Sequence, residues 1–334
     1  MNNTSIVHVR NSIIISDYLK CDLLTHITDI PKYADKKYDV IICAYSSPYM
    51  KYNAYLTILQ NNPQAKMFWL VNDHDCEDNI LLRKWSLWSN QPYNMLCNNP
   101  REGYRGWILR KKMNAKTLND WISEWYTINL NTIIFDEGQF ERTKNVTTRA
   151  GAVYYGTFRK HRIKDMLDYN NVGYFLSTSK KNQDKYTEAG ITAKFIERIS
   201  WDNVESTEST LEDFFDASPE VSRLDNFKYS LYFEDVHTHD NYAFMANRFY
   251  EGVMNNTLMF YDARCKVTLE KSGYNIDPYQ IVNSGDELLT KMKALDSDKK
   301  SYKTLLAVQQ SNAAIIMKEK IETLEAIKKA IQVK

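Results

Sequence analysis

Cysteine is scarce in this sequence and badly arranged for cross-linking. Five residues (Cys21, Cys43, Cys76, Cys97 and Cys265) are scattered over 334 positions, odd in number and never spaced as CxxC. That argues against a disulfide framework or a zinc ribbon and fits a reducing compartment, the cytoplasm. Long apolar runs are missing too, and no segment approaches the roughly 20 residues needed to span a bilayer. The opening, "MNNTSIVHVRNSIIISDYL", carries a brief apolar stretch but no small-residue cleavage signature, so it does not read as a secretory signal. Net charge is almost absent, with 43 Lys and Arg against 42 Asp and Glu. Any polyanion must then be held by a local patch, not by an overall basic field. No fixed-period repeat or low-complexity segment is apparent.

What is present is a globular composition, 43% apolar and 25% charged, on a chain long enough for two domains. Short apolar runs predict buried parallel strands at 38–45, 65–73, 131–136, 152–156, 173–178, 194–200, 229–235 and 257–262. Polar or helical segments separate them, which is the alternation of stacked βαβ units. The polar stretch 137–152 has no clear period and reads as an interdomain linker. Two parallel-sheet domains facing across a cleft follow as the expected α/β architecture. In the second half, Phe244, Met245, Phe249 and Val253 make an apolar helical arc that meets a stop at Asn255-Asn256. Ser284 and Glu287 have capping-box spacing. Ile321, Leu324, Ile327 and Ile331 stripe a helix-prone tail expected to pack back on the body.

Four constellations can carry chemistry. In "VYYGTFRKHR" an apolar run ends on Gly156 and is followed by Thr157, Arg159, Lys160, His161 and Arg162. A strand turning into a helix exposes free N–H groups at the positive end of the helix dipole, and two guanidiniums can fork onto phosphate oxygens. The plainer reading is a solvated basic turn. In "NRFYEG", Arg248 and Glu251 share a helix face, either as an ion pair or as a phosphate ligand beside a carboxylate that accepts from two ribose hydroxyls. In "LVNDHDCED", Asp73 is the first carboxylate after a strand, placed to act as a general base or to sit in an acidic loop. Between 81 and 116, eight cations (Arg83, Lys84, Arg101, Arg105, Arg110, Lys111, Lys112 and Lys116) stand against one acid, Glu102, with Trp and Tyr interleaved. That suits phosphates and exposed bases, or a solvated basic face. "DVHTHD" (235–240) offers His-x-His spacing, readable as a metal site or as a sugar-facing polar loop, with no further ligand cluster nearby.

With these residues in place, the chain resembles the GT-B glycosyltransferases, most nearly the bacteriophage DNA β-glucosyltransferases, which move glucose from UDP-glucose to 5-hydroxymethylcytosine in duplex DNA. "YYGTFRKHR" is similar to that family's strand–Gly–Ser–Phe–Arg segment. "DNYAFMANRFYEGVMNNTLMFYD" is similar to its Asp-Asn-Phe…Arg-x-x-Glu helix and following strand. "KKYDVIICAYSS…KMFWLVNDHD" is similar to two strands of its first domain. The resemblance implies that Arg159, Arg162 and Arg248, with Gly156 and Thr157, hold the diphosphate. It further implies that Glu251 holds the ribose, that Asp235 faces the sugar, and that Asp73 is the catalytic base.

It also implies an acceptor domain over 1–148, a UDP-sugar domain over 149–300 and a helix over 301–334 returning toward the first domain. The implied partners are a UDP-sugar donor, with Mg²⁺ or Mn²⁺ at the diphosphate, and double-stranded phage DNA carrying a hydroxymethylated pyrimidine. The DNA would be gripped by the basic stretch with its target base flipped out. A cytoplasmic monomer in an infected bacterium, with no all-protein metal site, completes the expectation. The opening segment is shorter than the family's and lacks glycine, the paired arginines are one residue closer, and two residues are inserted between Asp240 and Arg248. These departures surround the donor, so the expected sugar is glucose or a pentose such as arabinose. Two other functions fit the same residues: a GT-B enzyme with a non-DNA acceptor, and a non-catalytic DNA-binding protein.

Overall fold

The apolar runs become two separate parallel sheets. The computed structural model of the chain describes residues 3–24, 30–44, 52–71, 89–98, 122–147, 149–156, 158–196, 223–234 and 244–332. They fall into two units, one drawn from the chain up to Ile134 and from Glu319 onward, the other from Phe135 to Lys318. Among the described residues, no helix is long and apolar enough to cross a membrane.

In the first unit, β1 (Val40–Ala44), β2 (Lys66–Val71), β3 (Tyr93–Cys97) and β4 (Ile122–Thr127) pair in sequential order, all parallel. β2 is interior, and every side chain from Met67 to Val71 is buried. The helix Asn3–Leu19 and the end of the long helix Lys299–Gln332 cover this sheet. Ile15, Leu324, Ile327 and Ala330 join Phe68, Leu70 and Leu96 in one core. The tail therefore packs back as expected, with one correction: Ile321 is 57% exposed. At 100° per residue it stands about a quarter turn from the Leu324–Ile327 face.

A second correction concerns 131–136. This run is not a strand but part of a buried 3-10 turn, Leu130–Ile134. The Asn98 amide oxygen accepts from the Leu130 N–H (2.8 Å), and the Thr132 hydroxyl donates to the Asn129 carbonyl (2.7 Å). Side chains thus satisfy backbone groups that a strand ladder would otherwise pair. A short apolar run reports burial better than it reports conformation. The segment read as a linker likewise opens with a helix, Glu137–Thr143, started by the Asp136 side chain accepting from the Gln139 N–H.

The second unit holds β5 (Ala152–Tyr155), β6 (Phe175–Ser177), β7 (Lys194–Ile196), β8 (Tyr229–Tyr232), β9 (Leu258–Asp262) and β10 (Ile281–Val282). Their order is β10-β9-β8-β5-β6-β7, again all parallel. From β5 the chain moves outward through β6 and β7. It then returns to the other side of β5 to lay down β8, β9 and β10. The strand order therefore reverses between β5 and β8, and in open α/β sheets ligands collect beyond the strands' carboxyl ends at such a point.

Aromatic packing fixes this sheet. Phe233, just past β8, lies 4.5 Å from Tyr169 and 5.3 Å from Tyr154 between ring centroids, within the main core. Phe233→Ala is expected to destabilise the unit by about 3–5 kcal/mol, read as a fall in the midpoint of denaturant unfolding. The helix Asn247–Met254 ends as its sequence predicts, at Asn255-Asn256, where Asn256 takes the left-handed conformation (φ 50°). At the start of the helix Gly285–Ser297, the Ser284 hydroxyl oxygen accepts from the Glu287 N–H. The returning carboxylate bond goes to the Asn283 N–H (2.9 Å), one residue earlier than a capping box would place it.

Candidate functional site

Gly156 follows the end of β5 and Phe233-Glu234 follow the end of β8, so the residues on either side of the switch are the first to consider. The Gly156 N–H bonds the Ser177 carbonyl and its own carbonyl accepts from the Thr178 hydroxyl, which ties the exit of β5 to β6. A 3-10 turn, Lys160–Arg162, and a helix of only five residues, Ile163–Leu167, follow. The strand-to-helix step expected here is therefore short. What this end of β5 offers to an anion is guanidinium groups more than a helix dipole.

Arg162 is 8% exposed although it lies in a basic surface turn. Its Nη1 donates to the Tyr154 hydroxyl (2.6 Å) and its Nη2 to Glu234 Oε2 (3.2 Å). Arg248, from the helix Asn247–Met254, reaches the same carboxylate from the other side. Its Nη2 donates to Glu234 Oε1 and its Nη1 to the Tyr155 carbonyl (2.7 Å). Its guanidinium also stands 5.1 Å from the Tyr154 ring centroid. A Cβ at Gly156 would come within 2.9 Å of Arg248 Nη1, so the absence of a side chain there is what lets Arg248 approach the β5 exit. Glu251, one helical turn on and 3% exposed, does not need Arg248 for a partner. It accepts from the Tyr155 hydroxyl at 2.6 Å.

The electrostatics follow from burial. Desolvation alone works against charge on Arg248, but Glu234 and the Tyr154 and Tyr155 oxygens outweigh it and hold the guanidinium above its ordinary pKa. Arg162 behaves likewise, with burial opposed by Tyr154 and Glu234, while Arg248 acts in the contrary direction as a like charge. Burial, then the charge on Glu251, push the Tyr155 hydroxyl well above its usual value, so it remains a donor. The arrangement leaves one conspicuous demand. The Nε of Arg162 and the Nε of Arg248 are both buried, and neither has an acceptor among the described residues. Two buried donors on two cations meeting at a sheet's switch point suit an anion with several oxygens.

The structure thus brings together Gly156, Arg162, Arg248 and Glu251 of the residues read from the sequence. Arg159 is half-buried at the head of the same turn, but it is Arg162 that shares a carboxylate with Arg248. Glu234, Tyr154 and Tyr155 were not singled out. The signal that could have found Glu234 is its place directly after a strand, beside Asp235. Thr157, Asp235, Asp73, the His-x-His segment and the basic positions Arg83, Lys84, Arg101, Arg105, Arg110, Lys111, Lys112 and Lys116 lie outside the described residues. Among the described residues, no group of three or more His, Cys, Asp or Glu is placed to hold a metal ion.

No protein-family model matches the chain, and no curated protein matches it in sequence. Solved structures do. A mutant of T4 phage BGT in complex with UDP-glucose aligns with a TM-score of 0.65 at 16% identity, over 98% of this chain and 95% of that one. The DNA modifying enzyme β-glucosyltransferase, solved in the presence and absence of uridine diphosphoglucose, gives 0.64 at 15%, over 97% and 93%. T4 phage BGT in complex with UDP and Mn²⁺ gives 0.61 at 15%, over 97% and 93%. At such identity the likeness is one of fold. The chain has the α/β, GT-B fold of two parallel-sheet units, shared along nearly its whole length with T4 phage β-glucosyltransferase.

Proposed function

We propose that this chain is a UDP-sugar-dependent glycosyltransferase acting on phage DNA. It transfers glucose or a pentose such as arabinose to the hydroxymethyl group of a modified pyrimidine, 5-hydroxymethylcytosine, with inversion. The observation that carries the reading is the meeting of Arg162 and Arg248 at the switch point between β5 and β8, each with a buried Nε lacking a described acceptor, one turn from the Glu251 carboxylate. Cations for a diphosphate and a carboxylate for ribose hydroxyls are what a nucleoside-diphosphate sugar requires. The shared fold with a DNA-modifying glucosyltransferase supports the acceptor.

In this reading Asp73 takes the proton from the acceptor hydroxymethyl group as its oxygen attacks the anomeric carbon. The bond from that carbon to the β-phosphate oxygen breaks, and its electron pair leaves with UDP. Arg248, Arg162 and Arg159 stabilise the charge gathering on the diphosphate, with Gly156 and Thr157 allowing close approach of the backbone. Asp235 faces the sugar. The target nucleotide is flipped out of the duplex, and Arg83, Lys84, Arg101, Arg105, Arg110, Lys111 and Lys112 grip the DNA. The acceptor domain spans 1–148, the donor domain 149–300, and the helix 301–334 returns toward the first. The protein works as a monomer in the host cytoplasm. Mg²⁺ or Mn²⁺ would assist at the diphosphate itself. Among the described residues, Glu234 and Glu251 are already engaged by arginine and tyrosine, so such an ion would be held chiefly by the phosphate oxygens.

Glu251→Ala is expected to weaken UDP binding about tenfold by removing the acceptor for the ribose hydroxyls, measured by calorimetry. The function itself is tested by incubating the protein with hydroxymethylated and unmodified DNA and a panel of UDP-sugars, digesting to nucleosides and weighing them. A hexose or pentose added to the hydroxymethylated base alone is the expected result. No mass gain on any base, with UDP still bound, would move the acceptor away from DNA.

A further inference from the structure

Glu234 is the residue of this site that its diphosphate chemistry does not obviously want. A carboxylate beside a diphosphate is a like charge at close range, yet here it is buried and its two oxygens are divided between Arg162 and Arg248. Two buried guanidiniums repel one another, and a single carboxylate between them offsets that repulsion and sets their spacing. The three charges sum to +1, so the cluster retains positive charge for a further anion. We propose that Glu234 is a resident counter-anion and specificity determinant of the donor site: it engages the N–H groups of Arg162 and Arg248 that a diphosphate takes, and a ligand must supply at least two negative charges to displace it.

This rests on the reading of the site as a diphosphate site. The geometry supports exchange rather than simple addition. Each guanidinium directs one N–H of Nη1 to a tyrosine hydroxyl or carbonyl and one N–H of Nη2 to Glu234, and its buried Nε–H has no described acceptor. A diphosphate presenting oxygens to both cations competes with Glu234 for the N–H groups that face the carboxylate, and it gains its closest approach to both where Glu234 yields them. Glu234 lies two residues past Tyr232, the last residue of β8, so a change of its side-chain rotamer would leave the strand and its aromatic core in place. The carboxylate thus keeps the arginines paired and screens them against weak monoanions.

The test is calorimetric titration of the full chain, wild type and Glu234→Gln, with inorganic pyrophosphate, UDP and uridine. Gln keeps the shape and removes the charge. Pyrophosphate and UDP are expected to bind the variant at least about tenfold more tightly than wild type, with uridine unchanged. Equal or weaker binding of both anions by Glu234→Gln overturns the proposal, while wild-type affinity for UDP leaves the donor-site reading standing. Tighter pyrophosphate without any UDP affinity upholds the counter-anion and sinks the nucleotide reading. No binding of either anion by either protein overturns both. Should Glu234→Gln be unfolded alone, millimolar pyrophosphate is expected to restore cooperative melting and uridine is not, because the ligand supplies the missing anion. Failure of pyrophosphate to do so overturns the proposal.

Discussion

Asp73→Asn is expected to lower sugar transfer by about 10²–10⁴-fold while leaving UDP affinity within about twofold of wild type. The substitution is nearly isosteric, but an amide cannot take the proton of the acceptor hydroxyl. Asp73 follows Val71, the last residue of β2, by two positions in the sequence and lies outside the described residues. Transfer is measured as mass gain per nucleoside over time, and donor binding is measured separately by calorimetry. A loss confined to turnover assigns a role in the chemical step. Equal losses of turnover and UDP affinity would place Asp73 with the donor instead, and unchanged turnover would remove it from the mechanism.

Arg248→Ala is expected to weaken UDP binding about 100-fold, which is the loss of two charge-assisted hydrogen bonds. It should also destabilise the protein. Arg248 shares Glu234 with Arg162, accepts the Tyr154 ring against its face and bonds the Tyr155 carbonyl. Removing one partner of a buried charge cluster costs about 3–5 kcal/mol, read as a lower unfolding midpoint. Arg248→Lys separates the two effects. A lysine keeps a positive charge near Glu234 and should recover part of the stability. It lacks the planar fork and cannot serve carboxylate, carbonyl and phosphate together, so UDP affinity should recover far less.

Much of the fold was legible because parallel strands buried on both faces read as apolar runs. Met67 to Val71 and Leu258 to Tyr261 are almost wholly removed from water, and their sequences announce it. The strand Tyr93–Cys97 was not legible. Asn94 interrupts its apolar run, and only the fold shows that the Asn94 amide is buried and donates to the Met67 carbonyl. The strand Ile122–Thr127 stands at the sheet edge and exposes Ser123 and Glu124, which masks its period. Ile133, Ile134 and Phe135 misled in the opposite sense, being core residues on a 3-10 turn and its exit.

The site divides in the same way. Gly156, Arg162, Arg248 and Glu251 could be picked out because a glycine at a strand end beside cations, and an arginine and a carboxylate on one helix face, each admit a phosphate or ribose reading beside the plainer one of a solvated turn or an ion pair. Glu234 could not. Its meaning depends on Arg162, 72 positions away, and on Arg248, 14 positions away, and no local pattern records that they meet. The local pattern also offered a pairing of Arg248 with Glu251, whereas Arg248 turns to Glu234 and Glu251 to Tyr155. Side chains at helical spacing share a face, but partners across the sheet decide where they point.

Titrating the wild-type protein with UDP, beside Arg248→Ala, goes straight to the heart of this account. Binding at one site per chain, about 100-fold weaker in the variant, is the predicted result. No heat of binding in wild type, or equal affinity in both proteins, would show that the two guanidiniums around Glu234 do not form a diphosphate site.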